Sequence, residues 1–470
     1  MARENIADLI GKVQSIDIDE DNMNASIQLE VIRKSGRIDT PTVVFLKGKM
    51  HKVNNIKKDN FIMVKGIVST NDLEKEYKCP SCGEIHKYRT IGTNVIGIDV
   101  MKLQGEYTLD EFKGLSNKIY MLCTLVANPR KKTLPSGLLN TIYQVASNRK
   151  LRVMEQLDRK TDYPYISSLG EQAESDYNMM EEGSQCYIAG SIETRTVTKN
   201  MVCDNCSFTF QLIDTLTEIA PNSVQYLNNS IFKDIENYEA KENTADLVGK
   251  VIEIKVNEMN ETAEIRIETI RRNKKINSPT AVIYKDEINK LKEIHPGDLV
   301  VLRGTIITKD ELVTYKCNHC NKENIKTETK LYVYTFNIVK LHGEYDLEVL
   351  KEFSNKVYLI GKVLGDMEER KLPSGAPSVQ FKLKVNRKYT IDDELDVKID
   401  TPLISSIGHQ GEEDIKRLET GSECYISGGI QTRNVVIPML CIECGDTFNV
   451  KKEITEILPY STEYLSNCKF

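Results

Sequence analysis

The chain has 470 residues, of which 40% are apolar and 28% charged, and a formal net charge of −6. This balance is typical of a soluble globular protein with about three or four domains. It excludes a protein coated in positive charge, but Lys and Arg can still cluster along one groove and bind a nucleic acid there. The chain contains no run of about 18 apolar residues, so we expect no membrane-spanning helix. The opening segment MARENIADLIGKV lacks the apolar core of a secretory signal, so we expect a cytoplasmic protein.

The chain is a tandem duplication. Cys79 and Cys317 are 238 residues apart, and DLIGKV returns as DLVGKV at the same spacing. The register holds without an insertion, so residues 1–232 and 239–470 are two copies of one unit. A charged, polar segment between them is typical of a linker.

Each copy divides again, because Cys79 and Cys203 are 124 residues apart and so are Cys317 and Cys441. We therefore predict four related β domains of about 100 residues each, which is a usual domain size. The predicted boundaries are 1–112 for domain 1, 113–232 for domain 2, 233–244 for the linker, 245–350 for domain 3 and 351–470 for domain 4.

The same elements recur in each domain. In domain 2 the predicted elements are an opening strand at Ile119–Leu125, a second strand ending in basic residues at Ile142–Arg149 and a third apolar run. A short helix near Glu171–Met180 and a strand at Cys186–Ile192 follow, and a hairpin carrying a CxxC pair precedes the closing strand. A short helix between the third and fourth strands of a five-stranded Greek-key barrel is the signature of the OB-fold. We predict an all-β chain of four OB-fold barrels with CxxC hairpins and short helices.

Domain 4 shows the pattern most clearly. Two runs that alternate apolar and polar residues, Val357–Val363 and Val379–Val385, flank a turn at Pro373–Gly375. This pattern predicts a β-hairpin with one buried face. Each copy ends in a matched tail, TEIAPNSVQYLNN or TEILPYSTEYLSN, for which we predict a helix packed on the barrels.

Domains 2 and 4 resemble the bacterial single-stranded DNA-binding protein family. In domain 4 the similarity runs through NKVYLIGKV, DMEER, LPSG, VNR and GSECYISGGIQTR, and domain 2 repeats it as NKIYMLCTL, NPRKKTLPSG, SNRK and GSQCYIAGSIETR. Domains 1 and 3 match weakly and look like diverged copies. The resemblance implies a protein that coats exposed single strands in replication, recombination or transfer of DNA. The family normally assembles four barrels, and this chain carries four in one polypeptide, so a monomer or low-order oligomer is expected.

The chain departs from the family in having no tryptophan, whereas the family stacks bases largely on tryptophans. Tyr163 and Tyr389 stand at two such positions and are candidates for stacking, at about 1–3 kcal/mol per base. Basic residues recur at strand ends and in turns of every domain, where they can contact phosphates. The predicted DNA-binding residues are Arg33, Lys34, Arg130, Lys131, Arg149, Lys150, Tyr163, Arg195, Arg271, Arg272, Arg370, Lys371, Arg387, Lys388, Tyr389 and Arg433.

Four CxxC pairs occupy the same hairpin in the four domains. In a cytosolic chain this spacing indicates metal rather than disulfide, and zinc binds four thiolates in a tetrahedron. Each domain supplies only two, so pairs must combine between domains. The simplest prediction is two structural zinc ions, one per copy, with pairing across the copies as the alternative; His86 and His319 are disfavoured as ligands because neither recurs. The predicted ligands are Cys79, Cys82, Cys203 and Cys206 in copy 1, and Cys317, Cys320, Cys441 and Cys444 in copy 2.

The residues carry no pattern typical of an enzyme. We find no phosphate-binding glycine-rich loop, no HExxH and no recurring carboxylate cluster with metal spacing. We therefore expect a non-catalytic protein that binds single-stranded DNA and possible protein partners of replication or transfer. The alternative is a single-stranded RNA binder or an adaptor within such a complex, since OB barrels also hold RNA and proteins.

Overall fold

The structure is a computed structural model that describes residues 4–21, 23–149, 161–228, 239–257, 259, 261–372, 374–387 and 399–469. The chain forms two compact units, residues 1–238 (unit 1) and 239–470 (unit 2). The last residues of the predicted linker 233–244 are already ordered in unit 2, where Glu242 is buried and its carbonyl accepts the Ile360 N–H. Within the described residues, no helix has both the length and the apolar character needed to cross a membrane.

Unit 1 contains thirteen strands and one α-helix among its described residues. They are β1 (Glu4–Asp19), β2 (Asn24–Ile32), β3 (Ile38–Asp39), β4 (Thr42–Phe45), β5 (Phe61–Lys78), β6 (Ile85–Lys102), β7 (Asn117–Leu125), β8 (Arg130–Thr133), β9 (Leu139–Asn148), β10 (Thr161–Asp162), β11 (Tyr165–Leu169), α1 (Gly170–Met179), β12 (Gln185–Val202) and β13 (Thr209–Asn228).

Unit 2 repeats this order with twelve described strands and one α-helix. They are β14 (Asn243–Asn257), β15 (Thr262–Ile270), β16 (Ile276–Asn277), β17 (Thr280–Tyr284), β18 (Leu299–Lys316), β19 (Glu323–Leu341), β20 (Asn355–Lys371), β21 (Pro377–Asn386), β22 (Ile399–Asp400), β23 (Leu403–Ile407), α2 (His409–Arg417), β24 (Glu423–Leu440) and β25 (Thr447–Ser466).

Each unit holds two five-stranded barrels. In barrel 2 the first strand β7 pairs with β9, β9 with β11, β11 in parallel with β13, β13 with β12, and β12 closes on β7. Barrel 1 (β1, β2, β4, β6, β5), barrel 3 (β14, β15, β17, β19, β18) and barrel 4 (β20, β21, β23, β25, β24) have the same order. This is the Greek-key order of the OB-fold, so the predicted fold of four OB barrels in two copies is confirmed. The helix α1 lies between the third and fourth strands of barrel 2, as predicted.

The alternating runs of the sequence become the inward faces of these strands. In β2 every second residue from Ala25 to Val31 is buried, and in β21 the same holds from Val379 to Val385. A strand that buries alternate residues places one face on the core. The buried residues of the two barrels of unit 1 form one continuous core, and those of unit 2 form another.

The fourth strand of every barrel bends at a glycine. The register of β12 shifts between Ala189 and Gly190, opposite Pro221 of β13, and a Cβ on Gly190 would lie 2.6 Å from the Ala220 carbonyl oxygen. Only glycine permits that approach. Proline, which has no N–H, is tolerated opposite the glycine because a residue at a bulge is not required to donate a hydrogen bond to the ladder.

The predicted tail helices are wrong, because both tails continue the closing strands β13 and β25. Sequence reasoning missed the bulge that lets a strand contain a proline.

The two barrels of a unit join through their first strands. β1 pairs with β7 over Glu4–Leu9, and β14 pairs with β20 over Asn243–Leu247. An asparagine at the start of each first strand also reaches the fourth strand of its own barrel. In barrel 4 the Asn355 side chain accepts the Ile430 N–H at 2.7 Å and donates to the Ile430 carbonyl at 2.9 Å. The same pair of hydrogen bonds joins Asn5 to Val68, Asn117 to Ile192 and Asn243 to Ile306.

Candidate nucleic-acid interface and metal centres

Two clusters of four cysteines lie at hairpin tips. The sulfur atoms of Cys79, Cys82, Cys203 and Cys206 (the unit 1 cysteine cluster) all lie within 4.8 Å of one another, as do those of Cys317, Cys320, Cys441 and Cys444 (the unit 2 cysteine cluster). Each cluster takes one CxxC pair from the tip of each barrel's fourth-to-fifth-strand hairpin. The structure thus brings together, within each copy, the four cysteines that recurrence in the sequence predicts.

All four CxxC turns have the same backbone. In the first, the Cys79 N–H donates to the Glu84 carbonyl at 2.8 Å and the Gly83 N–H donates to the Cys79 carbonyl at 2.9 Å. The residue after the second cysteine adopts a positive φ that glycine and asparagine accept most readily. These residues are Gly83 (φ 75), Ser207 (φ 57), Asn321 (φ 58) and Gly445 (φ 74). The turn aims both sulfur atoms of a pair to the same side.

The sulfur spacing fits a tetrahedral ion. A Zn–S bond of about 2.3 Å places the sulfurs of a regular tetrahedron about 3.8 Å apart. The Cys79–Cys206 and Cys317–Cys444 sulfur pairs are separated by 3.7 and 3.8 Å, and the other two cross-hairpin pairs by 3.6 Å. These distances exceed a disulfide bond of about 2.05 Å. The clusters can hold one metal ion each.

A second layer of donors surrounds the sulfurs. His86 Nε2 lies 3.1 Å from Cys203 Sγ, and Asn324 Nδ2 lies 3.4 Å from Cys441 Sγ. His86 and Asn324 are equivalent positions of the two copies, so His86 stands beside the cluster as a hydrogen-bonding neighbour. The Cys444 backbone N–H and the Asn324 amide both donate to Cys441 and lower the pKa of its thiol to about 6. Donors of this kind favour the thiolate that a metal requires.

The two hairpins of a unit pack face to face below the cluster and form an arm. In unit 1 the Tyr77 and Phe210 rings, one from each hairpin, have centroids 5.6 Å apart. Asp214 accepts hydrogen bonds from Lys199 and Tyr88, both at 2.8 Å. Burial raises the pKa of Asp214, but Lys199, Lys75 and Tyr88 outweigh it and hold that pKa well below its usual range.

The equivalent position of unit 2 carries the opposite charge. Lys452 replaces Asp214 and donates to Glu328 of the other hairpin at 2.8 Å. Either arrangement places opposite charges across the interface between two hairpins, so an ion pair joins the two hairpins of each arm.

Four of the predicted DNA-binding arginines end the second strand of their barrel and are turned inward. Arg387 donates to both carboxylate oxygens of Asp400, at 2.6 and 2.8 Å, and Arg149 does the same to Asp162 at 2.5 and 2.7 Å. The Arg387 and Arg149 side chains are only 4% and 6% exposed. Arg33 pairs with Asp39 and Glu193, and Arg271 is 3% exposed.

The carboxylates of these pairs bridge the two barrels of a unit. Asp162 of barrel 2 accepts the Thr70 N–H of barrel 1 at 2.8 Å, and Asp400 of barrel 4 accepts the Thr308 N–H of barrel 3 at 2.7 Å. Conversely, Asp39 of barrel 1 accepts the Thr194 N–H of barrel 2 at 2.8 Å. The arginine therefore orients a carboxylate that fastens one barrel to the fourth strand of the other. We call this arrangement the inter-barrel clamp.

The remaining predicted DNA-binding residues fall into a half-buried group and a solvent-exposed group. Arg195 and Arg433 are half-buried and pair with Glu218 and Glu456, while Tyr163 is half-buried beside the clamp. Six side chains are exposed: Lys34, Arg130, Lys131, Arg272, Arg370 and Lys371. Of these, Lys131 lies over the Tyr177 ring, Arg272 near Glu352, and Arg370 against Glu368. Lys150, Lys388 and Tyr389 lie outside the described residues.

A groove lies between a barrel face and the arm in each unit. The unit 1 groove has a volume of about 390 Å³ and runs from Gln28 and Thr42 on β2 and β4 to Thr90 and Leu216 on the hairpins. The unit 2 groove, of about 260 Å³, runs from Lys382 and Leu403 on β21 and β23 to Lys330 and Lys452 on the hairpins. The face of strands two and three, flanked by the fourth-to-fifth-strand loop, is where OB-folds bind oligonucleotides.

A cluster of aromatic side chains in barrel 3 was not predicted from the sequence. The Tyr284 and Tyr334 rings stack with centroids 5.0 Å apart, and Lys309 Nζ lies 5.7 Å from the Tyr284 centroid and 5.9 Å from that of Tyr332. The alternation in LYVYTF places Tyr332 and Tyr334 on the same face of β19, opposite the buried Leu331 and Val333. This alternation was the available signal, because apolar residues on one face leave the tyrosines on the other.

The family model of the single-strand binding protein family matches residues 116–207 and 354–437, which are most of barrels 2 and 4. These two domains belong to that family. Each match begins just before the first strand of its barrel; the first ends just beyond Cys206 and the second ends within β24, before Cys441.

Two solved structures of the single-stranded DNA-binding protein from Thermus aquaticus are also similar to the chain. A deletion mutant aligns at 10% identity with a TM-score of 0.27, covering 74% of this chain and 93% of its own. The wild-type protein aligns at 13% identity with a TM-score of 0.21, covering 75% of this chain and 93% of its own. None of the curated proteins matches the chain.

Proposed function

We propose that the protein binds single-stranded DNA without catalysis and coats exposed strands in replication, recombination or transfer of DNA. The observation that carries this proposal is that two of the four OB barrels match the family model of the single-strand binding protein family. Each unit also has a groove on a barrel face flanked by a hairpin arm, and exposed cations such as Arg130 and Lys371 near hairpin turns. Positive charge along a groove and flat side chains are what single-strand binding requires.

We further propose that each cysteine cluster holds a structural zinc ion. Four thiolates at tetrahedral spacing leave no open position for a reacting molecule, which is typical of structural rather than catalytic zinc. The ion would tie the two hairpin tips of an arm together and thereby fix the wall of the groove. His86 and Asn324, which approach a sulfur from outside, would orient and stabilise the thiolates.

The binding proposal is tested by fluorescence anisotropy with a labelled oligothymidylate, its duplex form and a matched RNA oligomer. We expect tighter binding to the DNA single strand than to the duplex, and weakening of that binding as salt rises. Equal affinity for single strand and duplex would overturn the proposal. Preference for the RNA oligomer would favour the RNA-binding alternative, and binding to none of the three would favour an adaptor role.

A further inference from the structure

The unit 1 groove lies on barrel 1 and the unit 2 groove on barrel 4, and the two are built from positions that match within the repeat of the four barrels. Gln28 pairs with Thr42 in the ladder of barrel 1, and Lys382 pairs with Leu403 in that of barrel 4. On the hairpins, Leu216 lies opposite Arg195, and Lys330 lies opposite Lys309, at matching positions of the two ladders. Because the scaffold is the same, differences between the grooves arise from the side chains.

The side chains differ in charge. With barrel 1 matched to barrel 4 and barrel 2 to barrel 3, Lys382, Lys330 and Lys452 line the unit 2 groove where Gln28, Leu216 and Thr90 line the unit 1 groove. Lys326 adds a further cation to the unit 2 groove. The unit 1 groove contains one cation, Lys75, whose charge is matched by Asp214.

Part of the positive charge in unit 2 is neutralised within the protein. Lys452 pairs with Glu328, and Glu453 at the groove wall pairs with Arg266. Lys326 and Lys382 are exposed and Lys330 is half-buried, and no carboxylate among the described residues forms an ion pair with these three. The unit 2 groove therefore presents three ammonium groups that form no ion pair with a described carboxylate. Although burial raises the pKa of the Glu328 carboxyl, Lys452 lowers that pKa below its usual range, and Lys330 lies close enough to lower it further.

Aromatic rings lie beside this charge. Lys330 is opposite Lys309 in the ladder, and Lys309 lies over both Tyr284 and Tyr332. At the matching positions of barrel 2 stand Leu169 and Glu218, which have no rings. Cations next to ring faces suit a strand whose phosphates face the lysines while its bases meet the rings.

We propose that the two grooves contribute unequally to binding: the unit 2 groove holds the phosphates of the strand through Lys326, Lys330 and Lys382, and the unit 1 groove contacts the strand without ion pairing. This inference rests on the proposed function and specifies which of the two grooves contributes ion pairs to its salt dependence. The unit 1 groove, lined by hydroxyl and amide groups, offers hydrogen bonds that salt does not screen.

The test is the slope of log affinity for oligothymidylate against log salt concentration, in the full chain. Removing one cation that neutralises a phosphate of a single strand lowers the magnitude of that slope by about 0.7. The variant K326Q/K330Q/K382Q should therefore have a slope smaller by about 2. From about 50 to about 200 mM salt, the affinity of the wild type should fall roughly 20-fold more than that of this variant. The matched control K47Q/K57Q/K58Q removes the same net charge from exposed positions of unit 1 outside its groove and should keep the wild-type slope.

A reciprocal variant tests the same inference in the opposite direction. Q28K/L216K places two lysines in the unit 1 groove and should raise the magnitude of the slope by about 1.4. An unchanged slope in K326Q/K330Q/K382Q, or an equal decrease in the control, would overturn the inequality while leaving single-strand binding intact. Failure of the wild type to bind oligothymidylate would overturn the proposed function, and the inference with it.

Discussion

Replacing Arg387 with alanine distinguishes two possible roles of this residue: contact with DNA and a buried ion pair that supports the inter-barrel clamp. The family resemblance predicts a DNA contact, whereas the structure places its guanidinium on both oxygens of Asp400, with side-chain exposures of 4% and 0%. Removing one partner of a buried ion pair costs about 3–5 kcal/mol, because the other charge is left without compensation. Asp400 would keep only the Thr308 donors. We therefore expect Arg387→Ala to weaken the inter-barrel clamp of unit 2.

The assay combines urea unfolding with the salt slope of oligothymidylate binding. Arg387→Ala should shift the unfolding of unit 2 to lower urea by an amount equivalent to about 3–5 kcal/mol and leave the slope unchanged. The matched control is Arg130→Ala, which removes an exposed arginine and should leave stability unchanged while lowering the magnitude of the slope by about 0.7. Wild-type stability in Arg387→Ala together with a slope smaller by about 0.7 would refute the clamp and support the DNA contact.

Three further predictions concern the arms and the barrel joints. Substituting Cys441 and Cys444 with serine should halve the zinc content, from about two ions per chain to about one. The zinc content is measured by inductively coupled plasma mass spectrometry on protein purified without chelator. A full zinc content in the variant would contradict zinc binding by the unit 2 cysteine cluster. Asp214→Asn should destabilise unit 1 at neutral pH. The low pKa of Asp214 stabilises the folded state above the unfolded value of about 3.9, and this contribution disappears as pH falls. The difference from wild type in thermal unfolding should therefore shrink below about pH 4, and a difference that persists there would argue against the ion pair. Asn355→Ala should cost about 1–3 kcal/mol for each of the two Ile430 backbone groups it leaves buried, measured in the same urea titration; an unchanged unfolding midpoint would contradict this role of Asn355.

Local sequence patterns gave a wrong secondary structure for the tails of the two copies. The tails TEIAPNSVQYLNN and TEILPYSTEYLSN contain a proline and were predicted as helices, yet both are strands. Pro221 is accommodated because β13 forms a bulge opposite Gly190, where Asn222 has no partner in the ladder. Whether a proline ends a strand therefore depends on a partner about thirty residues earlier in the chain, which no local window includes.

The sequence by itself determined the duplication and the four OB barrels, and it made one cysteine cluster per copy the simpler of two possible groupings. Repeats with one spacing, strands with period two and CxxC turns are local patterns, and their recurrence makes each copy evidence for the others. Tertiary structure decided which charges face solvent. Arg387 and Lys382 lie five residues apart in one strand region, yet the first is buried against Asp400 and the second is exposed in the groove. That difference arises because the fold brings a carboxylate to one cation and leaves the other without one.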